Sequence, residues 1–244
     1  MKRLIPVIAL AMVLASSPVL AADATLGLDV NSAYVWRGIT FNDGVVAQPS
    51  LDVTNGSFGV NVWGNYDIDD YGDTLDDNEF SEVDLTVYYG FNVQSLEISL
   101  GVIEYLFPAA GGSTHEAYVS LGLPLLGGFS IGTDFYYDFD EVDGYYVDLG
   151  LTYDRELFEH LRIEVGARAA YADKDFAVYY GGTDSGFYDY TISLSASYAA
   201  TQALTITAGI NYTDSLDDDA LPDGKYGTGV DTNTYGGIGL AYAF

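Results

Sequence analysis

The sequence predicts an all-β chain: a transmembrane, antiparallel, up-and-down β-barrel of about twelve strands, with both termini on the periplasmic side. Three observations carry this. Apolar and polar residues alternate with a period of two through most of the chain, as a strand with one greasy and one wet face requires. The connections between these runs alternate too, tight after even-numbered strands and generally longer and more acidic after odd-numbered ones. That is the asymmetry of short periplasmic turns and long outer loops. Finally, charged residues within the runs fall almost entirely on the face opposite the apolar set. This matters because an Arg or Lys facing lipid at mid-membrane costs about 2–4 kcal/mol.

Ahead of the first strand, Lys2 and Arg3, the apolar run Leu4 to Leu14 and the small residues around Ala21 read as a secretory signal peptide cleaved after Ala21. This leaves 22–244 as one barrel domain.

The first strand is expected from Ala24 to Arg37, with Leu26, Leu28 and Val30 opposite Asp29 and Asn31. After a short loop, 38–44, the second runs Val45 to Thr54. Asn55-Gly56 is a tight-turn pair, and the third strand is Phe58 to Tyr66. An acidic loop, 67–79, leads to the fourth, Phe80 to Phe91, which sets Val83, Leu85 and Val87 against Glu82 and Asp84. The fifth, Leu96 to Phe107, breaks the rule once, since Glu104 lands on its greasy face near the outer end. The sixth is Thr114 to Leu123 and the seventh Phe129 to Asp138, whose Asp134 faces the wet side. The eighth, Gly144 to Asp154, carries Asp148 there. The ninth, Leu161 to Ala172, carries Arg162, Glu164 and Arg168. Beyond a long loop, 173–187, come the tenth, Tyr188 to Tyr198, and the eleventh, Leu204 to Thr213.

The twelfth strand, Thr234 to Phe244, has the cleanest pattern. Ile238, Leu240, Tyr242 and Phe244 share one face and Gly237, Gly239, Ala241 and Ala243 the other. A soluble sandwich would turn that greasy face to a second sheet. In an outer membrane it would meet lipid and present the segment that barrel-insertion machinery engages.

Composition narrows the function. There are 36 Asp and Glu against 8 Lys and Arg; loss of Lys2 and Arg3 leaves a net charge of −30. This argues against a nucleic-acid partner, which needs a basic footprint. Cysteine is absent, so there is no disulfide framework and no thiolate metal site. No run after the signal segment approaches the ~20 apolar residues of a membrane helix, whereas a mean hydropathy of +0.12 is compatible with barrel strands. The 22 Tyr and 12 Phe suit interfaces, where a ring is apolar and a hydroxyl wet.

Several segments resemble the TorF-type porin family. Tyr34-Val35-Trp36-Arg37-Gly38-Ile39 looks like its signature at the end of the first strand. Glu82-Val83-Asp84-Leu85 looks like its acidic strand start. Ile103 to Pro108 looks like its aromatic segment running into proline, with Leu106 departing from the usual choice. The resemblance spans the mature chain and implies an outer-membrane barrel with a pore.

The wet face supplies the candidate site: Arg37, Asp84, Asp134, Asp148, Arg162, Glu164 and Arg168 as pore-lining residues. Asp134, Asp148 and Arg168 come from consecutive strands at similar height. A ring of acids with one Arg would favour cations; the alternative is that these ions only brace the wall. The expectation is an outer-membrane channel for passive diffusion of small solutes, in contact with lipid and lipopolysaccharide, against a non-conducting structural or adhesive barrel.

Other constellations carry less. The loop from Asp67 begins like an EF-hand but has Tyr71 and Asn78 where ligands belong. Together with Asp217, Asp218 and Asp219 it reads as a solvated acidic rim. His115 beside Glu116, with Ser113 and Ser120 nearby, is the one grouping an enzyme could use, and it lacks a nucleophile signature. His160 sits at the other end. The four Gly-Gly pairs precede no helix, so they are not phosphate cradles. No cofactor or metal is called for.

Overall fold

A computed structural model describes residues 22–70, 78–222 and 231–244. The predicted signal peptide, residues 1–21, lies outside them, as does most of the EF-hand-like segment.

Twelve antiparallel strands close into one barrel. In chain order its strands are β1 (Asp23–Asn31), β4 (Val46–Asn55), β5 (Phe58–Asp67), β6 (Glu79–Val93), β7 (Leu96–Leu106) and β8 (Ser113–Pro124). They continue as β9 (Phe129–Asp138), β10 (Gly144–Phe158), β11 (Leu161–Ala172), β12 (Gly186–Ala199), β13 (Leu204–Ser215) and β14 (Thr234–Ala243). Each pairs with its sequence neighbour, and β1 closes on β14 with Leu26 opposite Tyr242 and Asn31 opposite Gly237. Closure removes every edge, so all the ladder groups find partners within the wall.

The expected alternation of connections holds: those after β4, β6, β8, β10 and β12 are tight, and the other end carries the long loops. No helix among the described residues is long and apolar enough to cross a membrane.

The small face of β14 has a physical reason. A side chain at Gly237 or Gly239 would collide with the Asn31 or Asp29 side chain of β1. The strand's bare inner face makes room for polar groups on its neighbour, while Ile238, Leu240 and Tyr242 stay exposed outside. Outward aromatics cluster toward both ends. Phe135, Tyr145 and Tyr171 stack in sequence near the long loops, with Phe187 edge-on to Tyr171, and Phe58–Tyr89, Phe129–Tyr153 and Tyr242–Phe244 pair near the tight turns.

The structure departs from the expected pattern in the first strand and in two loops. β1 ends at Asn31, not Arg37. The chain then forms a small separate hairpin, β2 (Tyr34–Trp36) and β3 (Ile39–Asn42), in the stretch where strand end and loop were expected. Arg37 and Gly38 form its turn, both with positive φ (48° and 77°). Such a pair gives the twist a two-residue hairpin needs. The long loop 173–187 contains a one-turn helix, α1 (Lys174–Tyr179), started by Asp173, whose side chain accepts from the Phe176 backbone N–H.

Hairpin, helix and the turn at Ala220 and Leu221 meet in one buried cluster. Ile39, Phe176, Ala177, Ala220 and Leu221 pack on Tyr146, Ala170, Ala172 and Tyr188 of the wall. The barrel is therefore filled in its long-loop half and polar in its tight-turn half.

Candidate functional site

The hairpin is fastened to the wall by charge. Both terminal nitrogens of Arg37 donate to the Glu116 carboxylate on β8, at 2.7 and 2.8 Å. Their side chains are 5% and 3% exposed. The guanidinium carbon lies 4.2 Å from the Trp36 ring centroid, 4.3 Å from Tyr136, 4.6 Å from Tyr146 and 5.4 Å from Phe176. Ring faces are negative, so this cage attracts a cation where water cannot. Tyr105 donates to Glu116 Oε2 at 2.8 Å, leaving that carboxylate fully engaged. Burial alone would lower the Arg37 pKa, but Glu116 holds it well above the usual value. Removing one partner of such a buried pair costs about 3–5 kcal/mol.

Further contacts seal the hairpin. Tyr34 donates to Glu82 on β6 at 3.0 Å; burial and then the Glu82 charge push its phenol pKa well up. Asn42 donates to Asp67 at 2.7 Å, and Gln48 and Asn65 continue that chain.

Below the plug, toward the tight turns, the lumen holds two cavities lined by both polar and apolar groups. One, of about 560 Å³, runs from Pro124 and Ser130 up to Asp134, Asp148 and Arg168. The other, of about 350 Å³, is lined by Asp52, Asn61, Tyr88, Tyr118 and Ser120, among others. Asp134 lines both. Tyr146 stands between plug and cavity, with the Arg37 and Arg168 guanidinium carbons 4.6 and 6.0 Å from its ring centroid.

The predicted residues separate into groups. Asp134, Asp148 and Arg168 do share one cavity wall, with Asp134 directly opposite Asp148. Arg168 bridges Asp148 at 3.4 Å and Asp189 at 3.1 Å. Arg162 and Glu164 lie lower, with Arg162 paired to Asp154 at 3.1 Å near the tight turns. Asp84 belongs to the plug end, facing Trp63 and Tyr105, and its Oδ1 is buried without a hydrogen-bond partner. Arg37 is in the plug itself.

Sequence reasoning missed Glu116 as a plug anchor and Asp189 altogether. The register of β11 against β12 shifts between Ala169 and Tyr171, and both Tyr188 and Asp189 are fully buried. The bulge turns Tyr188 inward beside Asp189, which period-two counting cannot show; Asp189 itself keeps the parity of Thr191 and Ser193 and falls on the wet face by alternation. Asp189 accepts from Tyr146 at 2.8 Å as well as from Arg168.

The other constellations resolve locally. His115 and Glu116 point to opposite faces. His115 stacks on Phe139 and contacts Asp140 at 2.9 Å outside, with Glu104 3.9 Å away, while Ser120 lines a lumen cavity. Asp217 caps its own turn, accepting from the Asp219 backbone at 3.0 Å. Among the described residues no group of three or more His, Cys, Asp or Glu side chains is placed to hold a metal ion.

No protein-family model matches the sequence, and no curated protein does. Solved structures do match. A KdgM porin is 11% identical with a TM-score of 0.57, over 90% of this chain and 99% of that one. A NanC porin is 14% identical with a TM-score of 0.53, over 91% and 99%. The COG4313 outer membrane channel from Pseudomonas putida F1 is 9% identical with a TM-score of 0.51, over 94% and 97%. At such identities the likeness concerns the fold: this chain has the barrel architecture of outer-membrane channels.

Proposed function

We propose that the chain is a narrow outer-membrane channel for passive diffusion of small solutes, favouring cations, with its long-loop end stoppered by the β2–β3 hairpin in the state seen here. The single observation that carries this is the acid-walled cavity ending at Asp134, Asp148 and Arg168, set inside a wall whose outer face is apolar. Acids around a water-filled path attract cations and repel anions. A KdgM porin has been solved in complex with disordered oligogalacturonate, a polyanion. A lumen holding Asp52, Glu97, Asp134 and Asp148 is a poor path for such a molecule.

The remaining parts of the reading follow from it. Residues 1–21 are a signal peptide, the tight turns and both termini face the periplasm, and the apolar belt contacts lipid and, outside, lipopolysaccharide. Asp84, Asp134, Asp148, Arg162, Glu164 and Arg168 line the path, and Arg37 stoppers it. Ile238, Leu240, Tyr242 and Phe244 engage the insertion machinery. Kinship with the TorF-type porin family is part of this reading, and the family-like Tyr34–Ile39 segment is then the stopper.

The plug itself favours a second reading, a non-conducting structural or adhesive barrel. Planar-bilayer recording in a salt gradient separates the two. The channel reading expects a small conductance with a cation-sided reversal potential, growing when the hairpin is unfastened. Silence from both the natural and unfastened proteins would leave the structural barrel.

A further inference from the structure

The groups that receive Arg37 belong mostly to the wall, not to the plug. Glu116 comes from β8, its partner Tyr105 from β7, and the rings of Tyr136 and Tyr146 from β9 and β10. These are four contiguous strands, and they would remain in place if the hairpin withdrew. What they offer is one carboxylate in bidentate orientation, held by a phenol, with two ring faces beside it. A hard metal ion needs six or more oxygens and would be poorly served. A strongly hydrated ammonium would have to shed its water. A planar, weakly hydrated guanidinium matches both the carboxylate fork and the rings.

We propose that this wall pocket is a binding site for guanidinium-bearing cations, and that Arg37 fills it as a tethered occupant. The site deepens the channel reading by naming a cargo class, and it rests on that reading only for its link to conduction. A tethered group has a high effective concentration, so the free cation competes poorly while Arg37 is present. Arg37 also sits at φ 48°, a left-handed conformation that a residue with a side chain disfavours.

The test uses the mature barrel with N-methylguanidinium as probe, and urea and sodium chloride as neutral and ionic controls. Arg37→Ala should show a saturable rise in melting temperature at millimolar probe, and the controls should not. The natural protein and the Arg37→Ala/Glu116→Gln pair should not respond. In bilayers the same addition should remove most of the current gained by Arg37→Ala. Arg37→Gln, which keeps bulk and hydrogen bonding, serves if Arg37→Ala does not fold unaided; folding rescued by the probe counts as binding. No saturable shift in either variant, an equal shift in the double variant, or failure to fold with and without probe overturns the site. Binding without conduction in any variant would instead remove the channel reading and leave the site. Conduction without binding does the reverse.

Discussion

Arg168 carries the charge balance of the open half of the lumen. It bridges Asp148 and the fully buried Asp189, and its own side chain is 33% exposed to the cavity. Arg168→Ala therefore has two expected effects. Asp189 keeps its bond from Tyr146 but loses its counter-charge, which should destabilise the barrel by about 2–3 kcal/mol, less than a fully buried pair because solvent screens the Arg. The cavity also becomes more negative, so the reversal potential in a salt gradient should move further to the cation side. Urea unfolding and bilayer recording read the two separately; an unchanged reversal potential would mean that Arg168 only braces the wall. At this scale the sequence was informative about side but not about partner. Alternation put Asp84, Asp134, Asp148, Glu164 and Arg168 on the wet face. It also put Asp189 there, in phase with Thr191 and Ser193, but which wet-face acid lies beside Arg168 depends on strand register, which alternation does not give.

Among the elements, the β2–β3 hairpin was the least legible. Residues 34–37 continue the alternation of β1, and that parity sends Tyr34 and Trp36 outward with the greasy set. The chain breaks at Ser32 and Ala33 instead, and Tyr34 ends buried at Glu82. Arg37-Gly38 is not one of the Asn-Gly or Asp-Gly pairs that mark a two-residue turn, so the sequence carries no clear break there. Gly38 is where this can be tested without touching Arg37. It has φ 77°, and an added side chain would collide with Leu221 and Asp189. Gly38→Val should unseat the hairpin, lower stability by about 1–3 kcal/mol and raise bilayer conductance several-fold. A conductance equal to the natural protein's would show that the hairpin does not obstruct the path. The wall uses glycine differently on the other side of the lumen. Tyr88 lies over Gly59 and Tyr118 over Gly101, each ring filling the space a side chain would need. Gly101→Val must displace Tyr118, breaking its 3.2 Å contact with Ser99. We expect about 1–3 kcal/mol of overpacking loss in urea unfolding, together with a changed conductance, because Tyr118 and Ser99 line the smaller cavity.

For the whole molecule, the strand count, the order of pairing and the alternation of tight and long connections were all readable, because a barrel repeats one rule twelve times and errors in single strands average out. What the long-loop end folds into was not readable, since a plug has no such period. The same repetition makes the outer face a single physical object: a belt whose solvent must be uniform if the fold is to close. That belt can be probed by depth. Ile192, in the middle of β12, is 52% exposed, and Leu126, in a tight turn, is 94% exposed. If the belt met water, Leu126→Arg and Ile192→Arg would both be nearly neutral, since exposed surface substitutions usually fall within about 0.5 kcal/mol. If it meets acyl chains, exposure no longer decides and depth does. Ile192→Arg should then cost about 2–4 kcal/mol and Leu126→Arg about 0–1 kcal/mol. Folding into lipid vesicles from urea, followed by the mobility difference between boiled and unboiled protein, measures both. Equal costs, or a natural protein that stays monomeric in water without detergent, would place the apolar face against something other than a membrane.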